Sequence, residues 1–408
     1  MYVRRSAAVL AAVTVIGTVT PAFAADSSPS PSGALPSGLY GTADPTYDGV
    51  WRQSLALIAQ HRADVRPAAT AVDWLVGQQC ANGAFAAFRA EPAKACDAKT
   101  MVDTNSTAAA VQALAAVGGH HTEIGKAKTW LRSAQNKDGG WGYTAGGASD
   151  ANSTSVVIGA LNSSDGLHAP NVQKDGKSPY DALVKLSLPC ADGGAFAYQP
   201  DKKGELSANA DATAAAVVAA SGQGMLTARA GDKGATDCAG GSRRTPEQAA
   251  ANGAAYLAKA LERDGYLKSA LAGAEDQPDY GNTADAVVAL AVQGGAPAAR
   301  KPLEWLERNA TAWAKQNGPA AYAQLILAAQ ATGTDPRDFG DTDLVKQLNA
   351  TGPAPRSAAN GSVTASATPS EEEKEDGDSP FGVWWYVGIF LVVGIGIGFL
   401  LSGRNKGK

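Results

Sequence analysis

The chain has 408 residues, 45% of them hydrophobic and 18% charged, which is enough apolar material for one large core or two modest ones. Its formal net charge is −4 and it holds no long run of Lys and Arg, so nucleic acid is excluded as an expected partner. The four cysteines contain no Cys-x-x-Cys pair, and His61, His120, His121 and His168 do not complete zinc-ligand spacing with them, so neither a metal nor another cofactor is expected.

At the N-terminus, Arg4 and Arg5 precede an apolar run over 7–19 and an Ala-x-Ala site ending at Ala24, which predicts a secretory signal peptide over 1–25. Residues 26–40, dominated by Ser, Pro and Gly, lack apolar periodicity and read as a flexible linker. An exported chain can oxidise its thiols. Of the three pairings open to four cysteines, Cys80–Cys96 and Cys190–Cys238 are expected, because each would clip an insertion that follows a turn of one kind.

That turn is the organising feature of residues 41–351. Gln135 and the run Asp138-Gly139-Gly140-Trp141 have counterparts in Gln79-Cys80-Ala81-Asn82-Gly83-Ala84-Phe85, Cys190-Ala191-Asp192-Gly193-Gly194-Ala195-Phe196, Asp264-Gly265-Tyr266 and Gln316-Asn317-Gly318. Before most copies lies a helix with a paired aromatic and leucine, as in Trp74-Leu75, Trp130-Leu131, Tyr256-Leu257 and Trp305-Leu306. After them come Ala/Val-rich helices with polar starts, at Asp103-Thr104-Asn105, Asp150-Ala151-Asn152, Asn209-Ala210-Asp211 and Asp279-Tyr280-Gly281-Asn282.

The two helix types face different surroundings. The Trp-Leu helices interleave charges with apolar positions and present one face to water, whereas the Ala/Val helices are apolar nearly all round and require burial. Inner helices are expected near 48–62, 104–117, 151–163, 208–221, 281–294 and 318–332, and outer ones near 67–79, 123–135, 178–187, 246–262, 298–313 and 340–350. This all-α pattern predicts an α6/α6 barrel, an α/α toroid, with an open solenoid of the same hairpins as the alternative.

Beyond the barrel, 352–380 read as a stalk rich in Pro, Ser and Ala that ends in an acidic run over 371–378. The run suits a solvated spacer or a docking site for a basic partner. Residues 381–401 form an uncharged apolar stretch of bilayer length, opened by Trp384, Trp385 and Tyr386 and followed by a basic tail over 402–408. The expectation is a single-pass cell-membrane protein with its barrel outside. Gly394 and Gly398 carry the small-xxx-small spacing of a helix-pairing face.

"QNKDGGWG" over 135–142 resembles the repeat motif of the squalene–hopene cyclase and protein prenyltransferase superfamily. The echoes cover most of 41–350. That resemblance implies the toroid fold, and among its branches are class II terpene cyclases, protein prenyltransferases, thioester domains and the α-domain of cobalamin carriers such as transcobalamin. The Asp-x-Asp-Asp acid of the cyclases is reduced here to Asn209-Ala210-Asp211-Ala212-Thr213, and the zinc set and the Gly-Cys-Gly-Glu-Gln thioester run are absent. An enzyme is therefore not the leading expectation; were it one, Asp211 or Asp150 would supply the acid.

The carrier branch needs no catalyst, only a barrel mouth with polar groups and flat apolar faces. Tyr47, Asp48, Trp51, Asp103, Asn105, Trp141, Tyr143, Asp150, Asn152, Tyr198, Asp211, Tyr280, Asn282 and Tyr322 are expected there as ligand-binding residues. The resulting reading is a tethered receptor that captures a small molecule, a corrinoid being the specific expectation, for a transporter or second surface protein. A polyprenyl-acting or terpenoid-acting exported enzyme and a wall-side protein-interaction scaffold are the alternatives. Against all three stands helix capping, which explains Asp103, Asp150 and Asp211 without any ligand.

Overall fold

The computed structural model describes residues 36–356 except 233–236, 239, 241–243 and 272. The expected signal peptide over 1–25, the span over 381–401 and the tail over 402–408 lie outside the described residues, as does the stalk beyond residue 356. Among the described residues no helix is long and apolar enough to cross a membrane.

Thirteen α-helices make up the described residues, with two short hairpin sheets. Six are inner helices: α1 (Gly49–Arg62), α3 (Thr104–Val117), α5 (Ala151–Asn162), α7 (Ala210–Ala220), α9 (Tyr280–Gly294) and α12 (Pro319–Thr332). They pack in a ring, α1 on α3, α3 on α5, α5 on α7, α7 on α9, α9 on α12, and α12 back on α1. The last contact closes the barrel and disposes of the open solenoid. Small side chains make the ring possible: Ala108, Ala110, Ala216, Ala286 and Ala328 are fully buried and let neighbouring helices approach closely.

The outer layer is α2 (Ala69–Gly77), α4 (His121–Ser133), α6 (Pro179–Leu186), α8 (Pro246–Leu261), α10 (Ala296–Asn309), α11 (Thr311–Asn317) and α13 (Leu344–Asn349). Each longer member buries one stripe, such as Ile124, Ala127 and Leu131 of α4, and leaves its charges outside. Where the sequence predicts one helix over 298–313, the structure has two. At the break the Asn309 side chain donates to the Trp305 carbonyl at 2.7 Å, a local bond that competes with continuation of the helix. Lys128 of α4 is the buried exception to the outward rule. Its ammonium gathers the carbonyls of Leu161, Ser164, Asp165 and Leu167, and burial lowers its pKa to about 8.

The ordered domain is also longer at both ends than periodicity suggests. Tyr40, assigned from sequence to the linker, is fully buried, its N–H donating to Gln53 Oε1 and its hydroxyl to Gln60 Oε1. Gly352 lies against that ring, and the Arg356 N–H donates to the Arg66 carbonyl. These straps carry too few apolar residues to show a period, yet they seal the α12–α1 seam.

Candidate functional site

The Gly-containing turn joins α2, α4, α6 and α8 to the inner helix that follows, and its bonds repeat. The Trp141 N–H donates to Thr154 Oγ1 at 3.1 Å, with equivalents from Phe85 to Thr107 (2.9 Å), Phe196 to Thr213 (2.9 Å) and Leu267 to Thr283 (3.0 Å). Each threonine stands four residues after the N-cap of its inner helix. The glutamines hold the turn from the other side, Gln135 Nε2 donating to the Gly139 carbonyl at 2.8 Å and Gln79 Nε2 to that of Gly83 at 3.0 Å. Gly139 has φ +91°, and a Cβ there would collide with the Ser178 carbonyl oxygen ahead of α6. No other residue fits that position.

These turns bring the N-termini of the inner helices to one end of the barrel, called the mouth here. Asp103, Asp150 and Asp279 cap α3, α5 and α9, accepting from the backbone N–H groups of Ser106 (2.6 Å), Ser153 (2.6 Å) and Asn282 (3.0 Å). Asp211 is different. The cap of α7 is Asn209, so the Asp211 carboxylate is free to face the bore, where it accepts from Asn152 Nδ2 at 2.6 Å. One turn deeper, Asp285 of α9 accepts from Gln324 Nε2 of α12 at 3.3 Å.

Burial governs the acidity of this group. It pushes Asp103, Asp150 and Asp211 up to about 6 despite their hydrogen bonds, and pushes Asp285 up to about 7 with help from the nearby charge of Asp211. Asp279 is raised for the same reason. The Tyr143 and Tyr198 hydroxyls are raised by burial and then by the aspartates beside them. Asp103 Oδ2, both amide atoms of Asn105, Asp150 Oδ2, Asn152 Oδ1 and Ser155 Oγ are buried without a hydrogen-bond partner in the chain. Orphaned polar atoms cost free energy in a folded core, and so many at one end mark a place built for something other than packing.

Below the carboxyls the bore turns apolar. Ala215 and Val218 of α7, Val288 of α9, Leu327 of α12, Val156 of α5 and Ala115 of α3 are partly accessible on helices whose other faces are covered by neighbours. Ala215 follows Asp211 by four, Val288 follows Asp285 by three, Leu327 follows Gln324 by three and Val156 follows Asn152 by four, which puts each on the stripe of its helix that carries the polar group. The far end, the base, is shut. After α7 the loop around 222–228 crosses the ring: Gly224 abuts Gly159 of α5, the Leu226 N–H donates to Gln112 of α3, and Arg62 of α1 donates to the Leu226 carbonyl.

Of the fourteen residues expected to bind a ligand, Asp103, Asn105, Tyr143, Asp150, Asn152, Tyr198 and Asp211 come together at the mouth. Trp141 does not. It is fully buried, its indole N–H donating to the Leu131 carbonyl at 2.7 Å, so it fills the gap between hairpins. Tyr322 is likewise a core residue at 4% exposure. Tyr280 stacks between Trp305 and Trp313 of the outer layer, and Asn282 donates to Asp279. Asp48 pairs with Arg52 at 3.2 Å, Trp51 packs on the core, and Tyr47 projects into solvent. Sequence reasoning misses Asp285, Gln324 and Asp279 as members of the site. Asp285 has a signal: it is the one charge in the apolar helix "YGNTADAVVALAVQG".

The expected disulfides Cys80–Cys96 and Cys190–Cys238 are both formed, which points to an oxidising compartment. Among the described residues no group of three His, Cys, Asp or Glu is placed to hold a metal ion.

No protein-family model matches the chain, and no curated protein matches it. Solved structures with a similar helical arrangement include a protein from Actinoplanes, at 15% identity and TM-score 0.47 over 72% of this chain and 93% of that one. An ent-copalyl diphosphate synthase from Streptomyces platensis is similar at 16% identity and TM-score 0.46 over 70% of this chain; the shared part spans 50% of the synthase. The type II terpene cyclase MstE from Scytonema, in its apo form, is similar at 15% identity and TM-score 0.44, over 70% of this chain and 74% of that one. Likeness at this level says nothing about what the mouth takes in.

Proposed function

We propose that the barrel is an acid catalyst for an apolar, unsaturated chain of the terpenoid or polyprenyl class. The observation that carries this reading is the carboxyl pair Asp285 and Asp211, set with its proton held near neutral pH over an apolar bore closed at the base. A ligand recognised by charge alone has no use for such a bore. A hydrocarbon chain fits it, and the one chemistry a neutral carboxyl offers a hydrocarbon is protonation of a double bond.

In that step the Asp285 hydroxyl gives its proton to an alkene carbon. The π electrons form the new C–H bond, and the adjacent carbon becomes cationic. Asp285 is left as a carboxylate beside Asp211 and Asp279, and these charges stabilise the positive centre in a medium of low polarity. The cation is discharged by returning a proton to a carboxylate or by capture of water. Asn152 and Gln324 hold the two carboxyls in place. The two disulfides support an oxidising compartment, and with the expected leader and anchor this reading sets the chemistry outside the cell.

The test is turnover of linear polyenes and polyprenyl diphosphates by the full chain, followed by product mass. Asp285→Asn and Asp211→Asn are each expected to lower turnover about 100-fold or more, the usual worth of a positioned acid. Full turnover in both variants would remove the reading.

A second reading has its own observation. The neutral orphans Asn105, Asn152 and Ser155 match a ligand edged with amides better than a hydrocarbon, and a corrinoid, delivered to a companion transporter, is such a ligand. Calorimetric titration with cobalamin separates the two: saturable heat with a raised melting temperature favours capture, and none at millimolar ligand ends it.

A further inference from the structure

The base of the barrel carries a charge that the acidic mouth does not prepare for. Five arginines surround the single turn that follows α1. Arg62 donates to the Leu226 carbonyl at 3.2 Å, and Arg337 reaches the Ala63 carbonyl at 2.6 Å. The Arg356 N–H and Nε donate to the carbonyls of Arg66 and Pro67, each at 3.0 Å. Arg66 and Arg229 are exposed, and Arg229 is close enough to Arg62 to help burial lower its pKa. The carboxylates beside this group are Asp64, Asp232 and Asp335, of which Asp335 is tied to Arg337.

Hydrogen bonding to backbone carbonyls explains where Arg62, Arg337 and part of Arg356 point, and of these only Arg337 caps a helix end, at Ala63. Such bonding leaves Arg66, Arg229 and the terminal nitrogens of Arg356 uncommitted. It also leaves the position of Arg356 itself, the last described residue, which lies within this patch. Only the 14 residues 357–370 separate Arg356 from Glu371, the first of the acidic run that also contains Glu372, Glu373, Glu375, Asp376 and Asp378.

We propose that this acidic run docks on the arginine patch of its own chain. A linker of that length and composition has a root-mean-square reach of about 20 Å by coil statistics, which would hold the run at high effective concentration over the patch. Individual exposed ion pairs are weak and screened beyond about 8 Å at physiological salt, but here the partner is never diluted away. Docking neutralises both charge clusters and keeps the base turned toward the stalk. The mouth then points away from whatever follows residue 378. Anionic lipid headgroups offer the same charge, but to reach the patch they must displace a run of carboxylates already tethered there. The inference is independent of the chemistry assigned to the mouth.

The experiment is a pulsed electron-resonance distance measurement on the full chain in discs of zwitterionic lipid. Spin labels are carried by non-natural side chains at Thr70, exposed beside the patch, and at Lys374 within the run, so both disulfides stay intact. At low salt a short, narrow distance distribution is expected. It should broaden at about 0.5 M salt, where the screening length is roughly 4 Å, and broaden equally at low salt in the double variant Arg66→Glu, Arg229→Glu. A broad distribution at low salt, indifferent to salt and to the charge reversal, would make the run a plain spacer. A run that stays distant from Thr70 in zwitterionic discs, in a protein whose patch is instead protected only in anionic discs, would give the patch to the headgroups and overturn the proposal.

Discussion

At the base of the barrel the ends of α1 and α5 are answered by Arg337 and Lys128, and the 222–228 loop, held by Arg62, crosses the bore through the close contact of Gly224 with Gly159. At the mouth five of the six inner helices begin with a carboxylate or an amide, and several of the polar groups there are buried and unanswered. Around the plug loop the base is built as packing normally is, with the backbone groups of Leu226 hydrogen-bonded and Gly224 set against Gly159. The mouth departs from that rule at Asp103, Asn105, Asp150 and Asn152, and departures of this kind belong to sites. Substitutions at the two ends should therefore fail in opposite ways.

The largest effect is expected at the base. A Cβ on Gly224 would lie 2.5 Å from the Gly159 Cα, backbone against helix, with no side chain able to yield. Gly224→Val is expected to cost about 3 kcal/mol of stability at every pH, read from the urea midpoint. An unchanged midpoint would mean that the loop is not a plug.

At the mouth the sign reverses. Asp285 has its folded pKa raised to about 7, so its contribution to stability is complete below the ordinary carboxylate range and is lost as pH rises through 7. Asp103, Asp150 and Asp211 lose theirs as pH rises through about 6. So far as these groups decide, the protein should melt highest below about pH 4 and lower at pH 8. Asp285→Asn is expected to equal the parent at the acid end and to exceed it by roughly 2 kcal/mol at pH 8, because the amide carries no charge to bury. Parallel melting curves across that range would show that the carboxyl is not buried in the way described.

Most of the barrel is legible in the sequence because its signals are local and repeated. The inner helix expected over 104–117 is α3 to the residue, and 151–163 and 318–332 miss α5 and α12 by one. Both disulfides follow from the turns they clip. What is not legible depends on direction. Asp103-x-Asn105 and Asn209-x-Asp211 look alike as strings, yet in one the aspartate is the cap and in the other it is freed by an asparagine two residues earlier. Trp141 reads as a rim aromatic until its indole is seen pointing back to Leu131. The plug loop has no period at all and is recognisable only by what it crosses.

The smallest effect sits between the two ends, in the threonine that ties each turn to its inner helix. Thr154 Oγ1 accepts from the Trp141 N–H and donates back to the Trp141 carbonyl, at 3.1 and 3.3 Å, where both partners are out of reach of water. Thr154→Val keeps the shape and strands that N–H, for an expected loss of about 1–2 kcal/mol. Thr154→Ser keeps the hydroxyl and should lose only the packing of one methyl group, so the difference between the variants isolates the bond. Neither touches a titrating group, so the loss should be the same at pH 5 and pH 8. A loss that grew with pH would mean that the turn and the Asp150 carboxylate, which caps the same helix, act as one unit, and the mouth would then extend down into the repeat that frames it.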